Sequence, residues 1–379
     1  MTTTTTKLGG TAVSVVVAKV AHGLMGMTSS TPVPDEQAFQ YIKSGIDVLP
    51  EGVKLILNSA EFYGHGWTTG KLELLARFFQ KHKDYADKTF LSVKGGAAGF
   101  GKINGKADGL HPQKYRQVAR GAESGARRRS TCACPPASIP RPIEDTVRYL
   151  VELLREGKFD YIGLSECRAD TMWRGHVVYP ISVVEIENCP TSYEEEMKIA
   201  LAAPAELDIA VAANSPLGHG LITGNIRGVD DLPAGSWIRD LTRLKDENLP
   251  SNLRPIDDAL HIMAAKKNCT PAQLSIAWVG ALGEKVIPLP GSTRKEHTLG
   301  KLQGGDIALS KQDIEEIAQI LEALNPVKGD RYFGDAVDLA VGSGQQYGVR
   351  NKRKSIVNDV TQQGLNRLGT NSCLVEQLI

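Results

Sequence analysis

The alternation of short apolar runs with longer amphipathic segments constrains the fold of this 379-residue chain more than any other feature. Residues 53–58 and 89–94 are typical apolar runs, and residues 71–83 between them carry apolar side chains at helical spacing. This pattern predicts βαβ units and a parallel sheet covered by helices. The predicted strands lie over residues 17–27, 53–58, 89–94, 159–166, 181–187, 207–218 and 285–292.

A (β/α)8 TIM barrel needs one strand more than the seven that can be read from the sequence. The gap falls within residues 125–142, which contain four prolines and three successive arginines but no apolar run. A central parallel strand is buried on both faces and is not expected to have this composition. The sheet is therefore either open or a (β/α)8 barrel with an aberrant fourth strand region at 125–142, and we predict the aberrant barrel.

The overall composition bears on partners and location. Lys and Arg number 44 against 43 Asp and Glu, which gives no electrostatic reason to expect binding to nucleic acid or an anionic membrane. The amino terminus lacks the features of a signal peptide, and no apolar run approaches the roughly 18 residues of a membrane span. We therefore predict a soluble, cytoplasmic protein.

Two further predictions follow from composition. Cys132 and Cys134 form a C-x-C pair without a second Cys or His pair nearby, so no metal site is predicted. Residues 1–330 are predicted to form the folded domain. Residues 331–379 lack hydrophobic periodicity and are predicted to be a poorly ordered extension.

Polar side chains stand at the predicted ends of two neighbouring strands. Asn58 ends the second strand, Tyr63 follows five residues later, and Lys94 ends the third strand. In parallel α/β barrels, active-site groups occupy these carboxyl ends. An ammonium beside a phenol favours the phenolate and lowers the tyrosine pKa, which suits general acid catalysis. The residues alone leave open that Tyr63 is an ordinary aromatic side chain in a turn.

The segment after the last predicted strand could bind a phosphate. It offers hydroxyl groups at Ser292 and Thr293 and a guanidinium at Arg294. A helix that begins there would present free N–H groups, and arginine suits a phosphate monoester. The alternative is a helix cap with ordinary surface charges. The position after the last strand favours a phosphate site, because barrel phosphate sites use the final βα loops.

These motifs together resemble the aldo-keto reductase superfamily. HGLMGMT at residues 22–28, LNSAEFYG at 57–64 and CTPAQLSIAW at 269–278 are most similar to the fungal pyridoxal reductases within it. The resemblance covers roughly residues 7–333. It implies a (β/α)8 barrel that binds NADPH across its carboxyl-terminal face and reduces a small aldehyde, such as pyridoxal, to the alcohol.

The resemblance also implies roles for individual residues. Tyr63 matches the proton donor and Lys94 the lysine that lowers its pKa, while Asn58 stands where most of the superfamily has aspartate. Ser165 and Glu185 match residues that contact the nicotinamide carboxamide. The remaining matches are the pyrophosphate loop, at Ser215, Leu217 and Gly218, and the 2′-phosphate site that favours NADPH over NADH, at Ser292, Thr293 and Arg294.

Several positions depart from the superfamily pattern. Asn214 replaces a tyrosine whose ring stacks on the nicotinamide, and Glu166 replaces an asparagine. The active-site histidine of the superfamily would lie within 125–142, where this chain has none. These departures motivate an alternative function, an NADPH-binding but catalytically poor barrel that acts as a sensor or interaction protein. An unrelated phosphate-binding barrel would require the motif matches to be coincidences. The oligomeric state is left open.

Overall fold

The computed structural model describes most of residues 3–331. The gaps are residues 29–32, 96–128, 134–141, 225, 227, 233–236, 246 and 324–326, and only the backbone is described at 67, 129–133, 253–258 and 323. The side chains of Cys132 and Cys134, most of the 125–142 region, and the predicted extension beyond Arg331 therefore lie outside the described residues.

Eight parallel strands form one sheet whose spatial order follows the order of the chain. The described strands are β1 (Thr5–Lys7), β2 (Val16–Ala18), β3 (His22–Gly23), β4 (Leu55–Ala60), β5 (Thr89–Gly95), β6 (Arg129–Ala133), β7 (Tyr161–Ser165), β8 (Val183–Glu187), β9 (Ala210–Asn214) and β10 (Val286–Leu289). The sheet runs from β3 to β10. The Ala21 N–H donates to the Pro288 carbonyl (2.8 Å) and the Gly23 N–H to the Pro290 carbonyl (2.9 Å). These bonds join the first strand to the last, so the fold is the predicted (β/α)8 barrel.

Residues 125–142, in which no strand can be read from the sequence, contain the fourth strand of the predicted barrel. β6 lies between β5 and β7, with Leu91 opposite Arg129 and Thr131 opposite Ile162. The four prolines of the region all follow β6, so they remove no N–H group from its ladders. Ladder bonds need only backbone groups, and a composition averaged over 18 residues hides a five-residue strand that contains no proline.

The remaining strands, β1 and β2, form an antiparallel hairpin outside the barrel sheet. Val17, together with Leu8, packs in one buried cluster with Ile56, Phe90 and other side chains of the barrel strands. This cluster fills the amino-terminal end of the barrel with apolar side chains. Of the first predicted strand, 17–27, only His22–Gly23 belongs to the barrel sheet. Val17 and Ala18 pair with β1 and also bond to Lys54, just before β4.

Nine α-helices are described, and they cover the sheet as the amphipathic segments predict. They are α1 (Asp35–Ile46), α2 (Gly70–Lys81), α3 (Ile143–Arg155), α4 (Ala169–Val178), α5 (Glu195–Glu206), α6 (Leu249–Lys266), α7 (Pro271–Ala281), α8 (Lys295–Gln303) and α9 (Lys311–Ala323). Thr270 caps α7, since its hydroxyl accepts from the Gln273 N–H (3.2 Å) while its own N–H donates to the Gln273 side chain (3.1 Å). Among the described helices, none is long and apolar enough to cross a membrane.

One buried cation on α2 is expected to limit stability. Lys71 is fully buried, its Nζ has no hydrogen-bond partner among the described residues, and burial lowers its pKa to about 7. The unfolded chain, with the ordinary lysine pKa of 10.5, binds more protons between these two values. The penalty of charging Lys71 is therefore complete below pH 7 and fades towards pH 10.5.

Lys71→Met is expected to raise the free energy of unfolding by about 1–4 kcal/mol below neutral pH, with a smaller gain at alkaline pH. Urea unfolding across this pH range measures both effects. Lys81→Met is the matched control, because Lys81 is exposed on the same helix and pairs with Glu36. It should change stability by no more than about 0.5 kcal/mol. A Lys71→Met protein less stable than wild type at acid pH would contradict the prediction.

Candidate active site

Three polar side chains meet inside the barrel above its apolar floor. Ile56, Phe90 and Val183 belong to the buried cluster at the amino-terminal end, and side chains of a strand return to the same face every second residue. Asn58 and Glu185 therefore lie one layer higher than Ile56 and Val183. Lys94 lies two layers above Phe90, near the carboxyl end of β5.

The contacts among these three side chains form a closed triangle. The Lys94 Nζ donates to both carboxylate oxygens of Glu185 (2.6 and 2.7 Å) and to the Asn58 Oδ1 (2.8 Å). The Asn58 Nδ2 donates to the Glu185 Oε2 (2.7 Å). The side chains of Lys94 and Glu185 are only 5% and 4% exposed. Water therefore has little access to this ion pair.

Tyr63 lies next to this triangle. The Lys94 Nζ is 4.9 Å from the centroid of the Tyr63 ring. The turn after β4 brings the two together, since the Glu61 N–H donates to the Lys94 carbonyl (3.0 Å) and the Tyr63 N–H to the Ala60 carbonyl (3.3 Å). The Thr28 hydroxyl also donates to the Tyr63 carbonyl (2.7 Å). The structure thus brings together the predicted residues Asn58, Tyr63 and Lys94.

The electrostatics of the triangle keep Lys94 charged. Burial alone would disfavour the ammonium, but the Glu185 carboxylate outweighs burial. Tyr63 acts in the same direction through its charge and a hydrogen bond, so the pKa of Lys94 lies above its ordinary value. Lys94 is therefore a fixed positive charge beside the Tyr63 phenol over the whole physiological pH range.

The next strand end along the barrel carries Ser165 and Glu166. Ser165, the last residue of β7, is buried opposite Glu185, and its hydroxyl has no hydrogen-bond partner within the described part of the chain. Glu166 has a positive φ of 46° and its N–H donates to the Glu185 carbonyl (2.8 Å). A free buried hydroxyl at a strand end fits the predicted contact with a nicotinamide carboxamide.

A second charged cluster consists of Glu166, Glu187 and Arg331, the first residue of the predicted extension. The Arg331 guanidinium is 3.1 Å from both the Glu166 and Glu187 carboxylates. Asn214 donates to the Glu166 Oε1 (3.1 Å). Burial raises the pKa of Glu166. Burial acts in the same direction on Glu187, but Arg331 and His219 outweigh it and lower the pKa of Glu187. This cluster is not among the predicted site residues, although two glutamates two residues apart in an apolar strand indicate buried carboxylates that need a cation.

The predicted pyrophosphate loop follows β9 as a tight turn. Ser215 and Gly218 have φ values of 52° and 55°, and the Gly218 N–H donates to the Ser215 carbonyl (2.8 Å). A Cβ at Gly218 would lie 2.7 Å from the Thr191 Oγ1, so the turn has no room for a side chain there. Leu217 is buried. The loop backbone is therefore held in one shape at the carboxyl end of the barrel.

The predicted phosphate site begins α8. Ser292 is buried, and its hydroxyl donates to the Arg294 carbonyl (2.9 Å) and accepts from the Arg294 N–H (3.3 Å). Arg294 itself is exposed, and its guanidinium makes no ion pair with any described residue. The Thr293 hydroxyl likewise makes no hydrogen bond to any described residue. A free guanidinium, a free hydroxyl and a helix amino terminus suit a phosphate monoester.

Comparison with known proteins decides the family. The model of the aldo/keto reductase family matches residues 19–322 of this chain, which span the barrel from before β3 to α9. The chain belongs to the aldo/keto reductase family. This aldo-keto reductase is accordingly an oxidoreductase of a family that reduces carbonyl groups with a nicotinamide cofactor.

Individual relatives support the assignment. A probable pyridoxal reductase 2 from Schizosaccharomyces pombe is 30% identical over 324 residues, which are 83% of this chain and 95% of that protein. An aldo-keto reductase, yakc [NADP(+)], from the same organism is 35% identical over 193 residues, but these cover only 50% of this chain and 56% of that protein. The solved structure of a glycerol dehydrogenase from Gluconobacter oxydans superposes with a TM-score of 0.69, at 19% identity, over 87% of this chain and 98% of its own. This structural match supports the fold.

Proposed function

We propose that this aldo-keto reductase uses NADPH to reduce a small aldehyde, with pyridoxal as the leading candidate, and that Tyr63 supplies the proton. The observation that carries the proposal is the Lys94 ammonium beside the Tyr63 ring at the carboxyl end of the barrel. NADPH supplies the hydride when it is bound. The Tyr63 hydroxyl donates its proton to the carbonyl oxygen as that oxygen gains negative charge. Lys94 then stabilises the phenolate that remains.

The residues that would hold NADPH lie around the carboxyl end of the barrel. Ser165 would bind the carboxamide through its free hydroxyl, and the turn at 215–218 would bind the pyrophosphate through its backbone. Arg294 and Thr293 would bind the 2′-phosphate. The free guanidinium of Arg294 and the name of the NADP(+) relative both support NADPH over NADH.

The substrate is tested by consumption of NADPH. The purified protein should consume NADPH with pyridoxal, and chromatography should show pyridoxine formed in equal amount. Pyridoxal phosphate, benzaldehyde and glyceraldehyde complete the panel, since they differ from pyridoxal in charge, ring substitution and size. Turnover of another aldehyde but not of pyridoxal would overturn the assignment of pyridoxal as the substrate, but not the assignment of reductase activity. No turnover with any aldehyde would overturn the reductase.

Arg294→Met is expected to weaken NADPH binding about 10- to 100-fold, because a hydrogen bond to a charged phosphate is worth about 1.5–3 kcal/mol. NADH lacks the 2′-phosphate, so its affinity should change little. Titration of both cofactors by fluorescence quenching measures the difference. Lys311→Met, which removes an exposed cation at the start of α9, is the control and should leave both affinities unchanged. Equal losses for NADPH and NADH would contradict the assigned role.

One observation favours a second function, a barrel that binds NADPH but turns over poorly. Asn214 stands where the superfamily has a stacking tyrosine, and its amide donates to Glu166. An amide engaged in this way offers no aromatic face to a nicotinamide ring. Tight NADPH binding without turnover across the aldehyde panel would favour a sensor or interaction protein over the reductase.

A further inference from the structure

The neutral Asn58 leaves Lys94 without the carboxylate that most of the superfamily supplies from β4. A buried ammonium is stable only when it is paired, because burial strongly favours the neutral amine. Among the described residues, the carboxylate that forms a salt bridge with Lys94 is Glu185. It reaches Lys94 from β8, which β6 and β7 separate from β5 in the sheet.

We propose that Glu185 is a positioning residue that supplies the negative charge holding Lys94 as an ammonium beside Tyr63. The assignment differs from the carboxamide contact that the family resemblance implies for Glu185, since both of its carboxylate oxygens are bonded to Lys94. Its catalytic consequence rests on the proposed function, because it acts through Tyr63. The pairing of Glu185 with Lys94 does not depend on that function.

The structure also explains why residue 58 is an asparagine. The Asn58 side chain accepts from Lys94 through Oδ1 and donates to Glu185 through Nδ2, so it meets a cation and an anion at once. An aspartate at this position would place a second carboxylate at the 2.7 Å contact with Glu185, where two like charges repel. Asparagine at 58 and glutamate at 185 therefore form a matched pair in which the charge has moved from β4 to β8.

This matched pair predicts that the charge can be moved back. In Asn58→Asp/Glu185→Gln the carboxylate lies on β4 and the amide on β8, with the same number of charges as in wild type. Both strands face the same Lys94 Nζ. The double variant is therefore expected to restore the charged state of Lys94, which Glu185→Gln alone removes.

Carbon-13 NMR of lysine-labelled protein without cofactor tests the pairing directly. The Lys94 signal, assigned by its loss in Lys94→Arg, should report an ammonium from about pH 6 to about pH 10 in wild type. In Glu185→Gln it should titrate within this range, and in the double variant it should again stay charged. Glu187→Gln, which removes the carboxylate two residues along the same strand, is the control and should leave the Lys94 signal unchanged.

Each outcome decides the proposal. A Lys94 signal in Glu185→Gln that stays charged over the whole range would overturn it, as would a double variant that titrates like the single one. If Glu185→Gln does not fold, Glu185→Asp provides the same test, because the shorter side chain withdraws the carboxylate from Nζ and should lower the pKa of Lys94. An unchanged pKa in Glu185→Asp would then contradict the proposal.

Activity provides a separate measurement. Glu185→Gln is expected to lower kcat/KM for the aldehyde on the order of 100-fold, with an altered pH profile, and the double variant should recover to within about tenfold of wild type. A wild-type protein without turnover would contradict the proposed function, while the NMR titration would still decide the role of Glu185.

Discussion

Tyr63→Phe is expected to reduce kcat/KM for the aldehyde by about 10²- to 10⁴-fold, the range that a positioned general acid contributes. The variant loses one hydroxyl and keeps the ring, which packs edge-on against Phe62 with centroids 5.3 Å apart. The fold and the affinity for NADPH should therefore be preserved. Steady-state rates of NADPH consumption and fluorescence titration of NADPH measure the two properties separately.

The matched control for this variant is Tyr161→Phe. Tyr161 is the first residue of β7, at the amino-terminal end of the barrel, and its ring packs against Phe90 with centroids 5.7 Å apart. Its hydroxyl lies far from the proposed reaction, so activity should stay within about twofold of wild type. Equal activity of Tyr63→Phe and wild type would show that another group supplies the proton.

Lys94→Met is expected to remove activity and to destabilise the protein by about 3–5 kcal/mol, because it leaves the Glu185 carboxylate buried without a cation. The Glu185 side chain is only 4% exposed, so water cannot replace the lost ammonium. Tyr63 also loses the positive charge that stabilises its phenolate. Urea unfolding measures the stability, and NADPH consumption measures the activity.

A second substitution separates these two effects. In Lys94→Met/Glu185→Gln no charge remains in the triangle, and replacing a buried ion pair by neutral groups is often close to neutral in free energy. The double variant should therefore recover most of the stability and none of the activity. Recovery of activity along with stability would show that Lys94 only maintains the fold. A double variant as unstable as Lys94→Met would show that the Glu185 charge is not the cause.

Much of the candidate site can be predicted from the residues at the ends of the strands. Asn58, Tyr63 and Lys94 could be grouped from the sequence because β4 and β5 are consecutive strands and consecutive parallel strands end side by side. The observed register, with Ala60 opposite Lys94, places them as expected. The hydroxyls and guanidinium at 292–294 could likewise be placed from the position of the last strand.

Contacts across the barrel could not be predicted in this way. The sequence indicates that Glu185 lies in a buried strand, but its contact with Lys94 depends on closure of the barrel, which brings non-neighbouring strands face to face. Strand β6 was missed for a different reason. Five residues of backbone pairing leave little trace between the arginines that precede the strand and the prolines that follow it.

Arg331 also sets a limit on where the protein can be shortened. A recombinant protein ended at residue 330 would keep every strand and helix described above, yet it would lack the guanidinium that Glu166 and Glu187 share. Glu187 is almost completely buried, so a cation from the buffer or solvent could not readily take the place of that guanidinium. Truncations intended for crystallisation should therefore begin their deletions beyond residue 331.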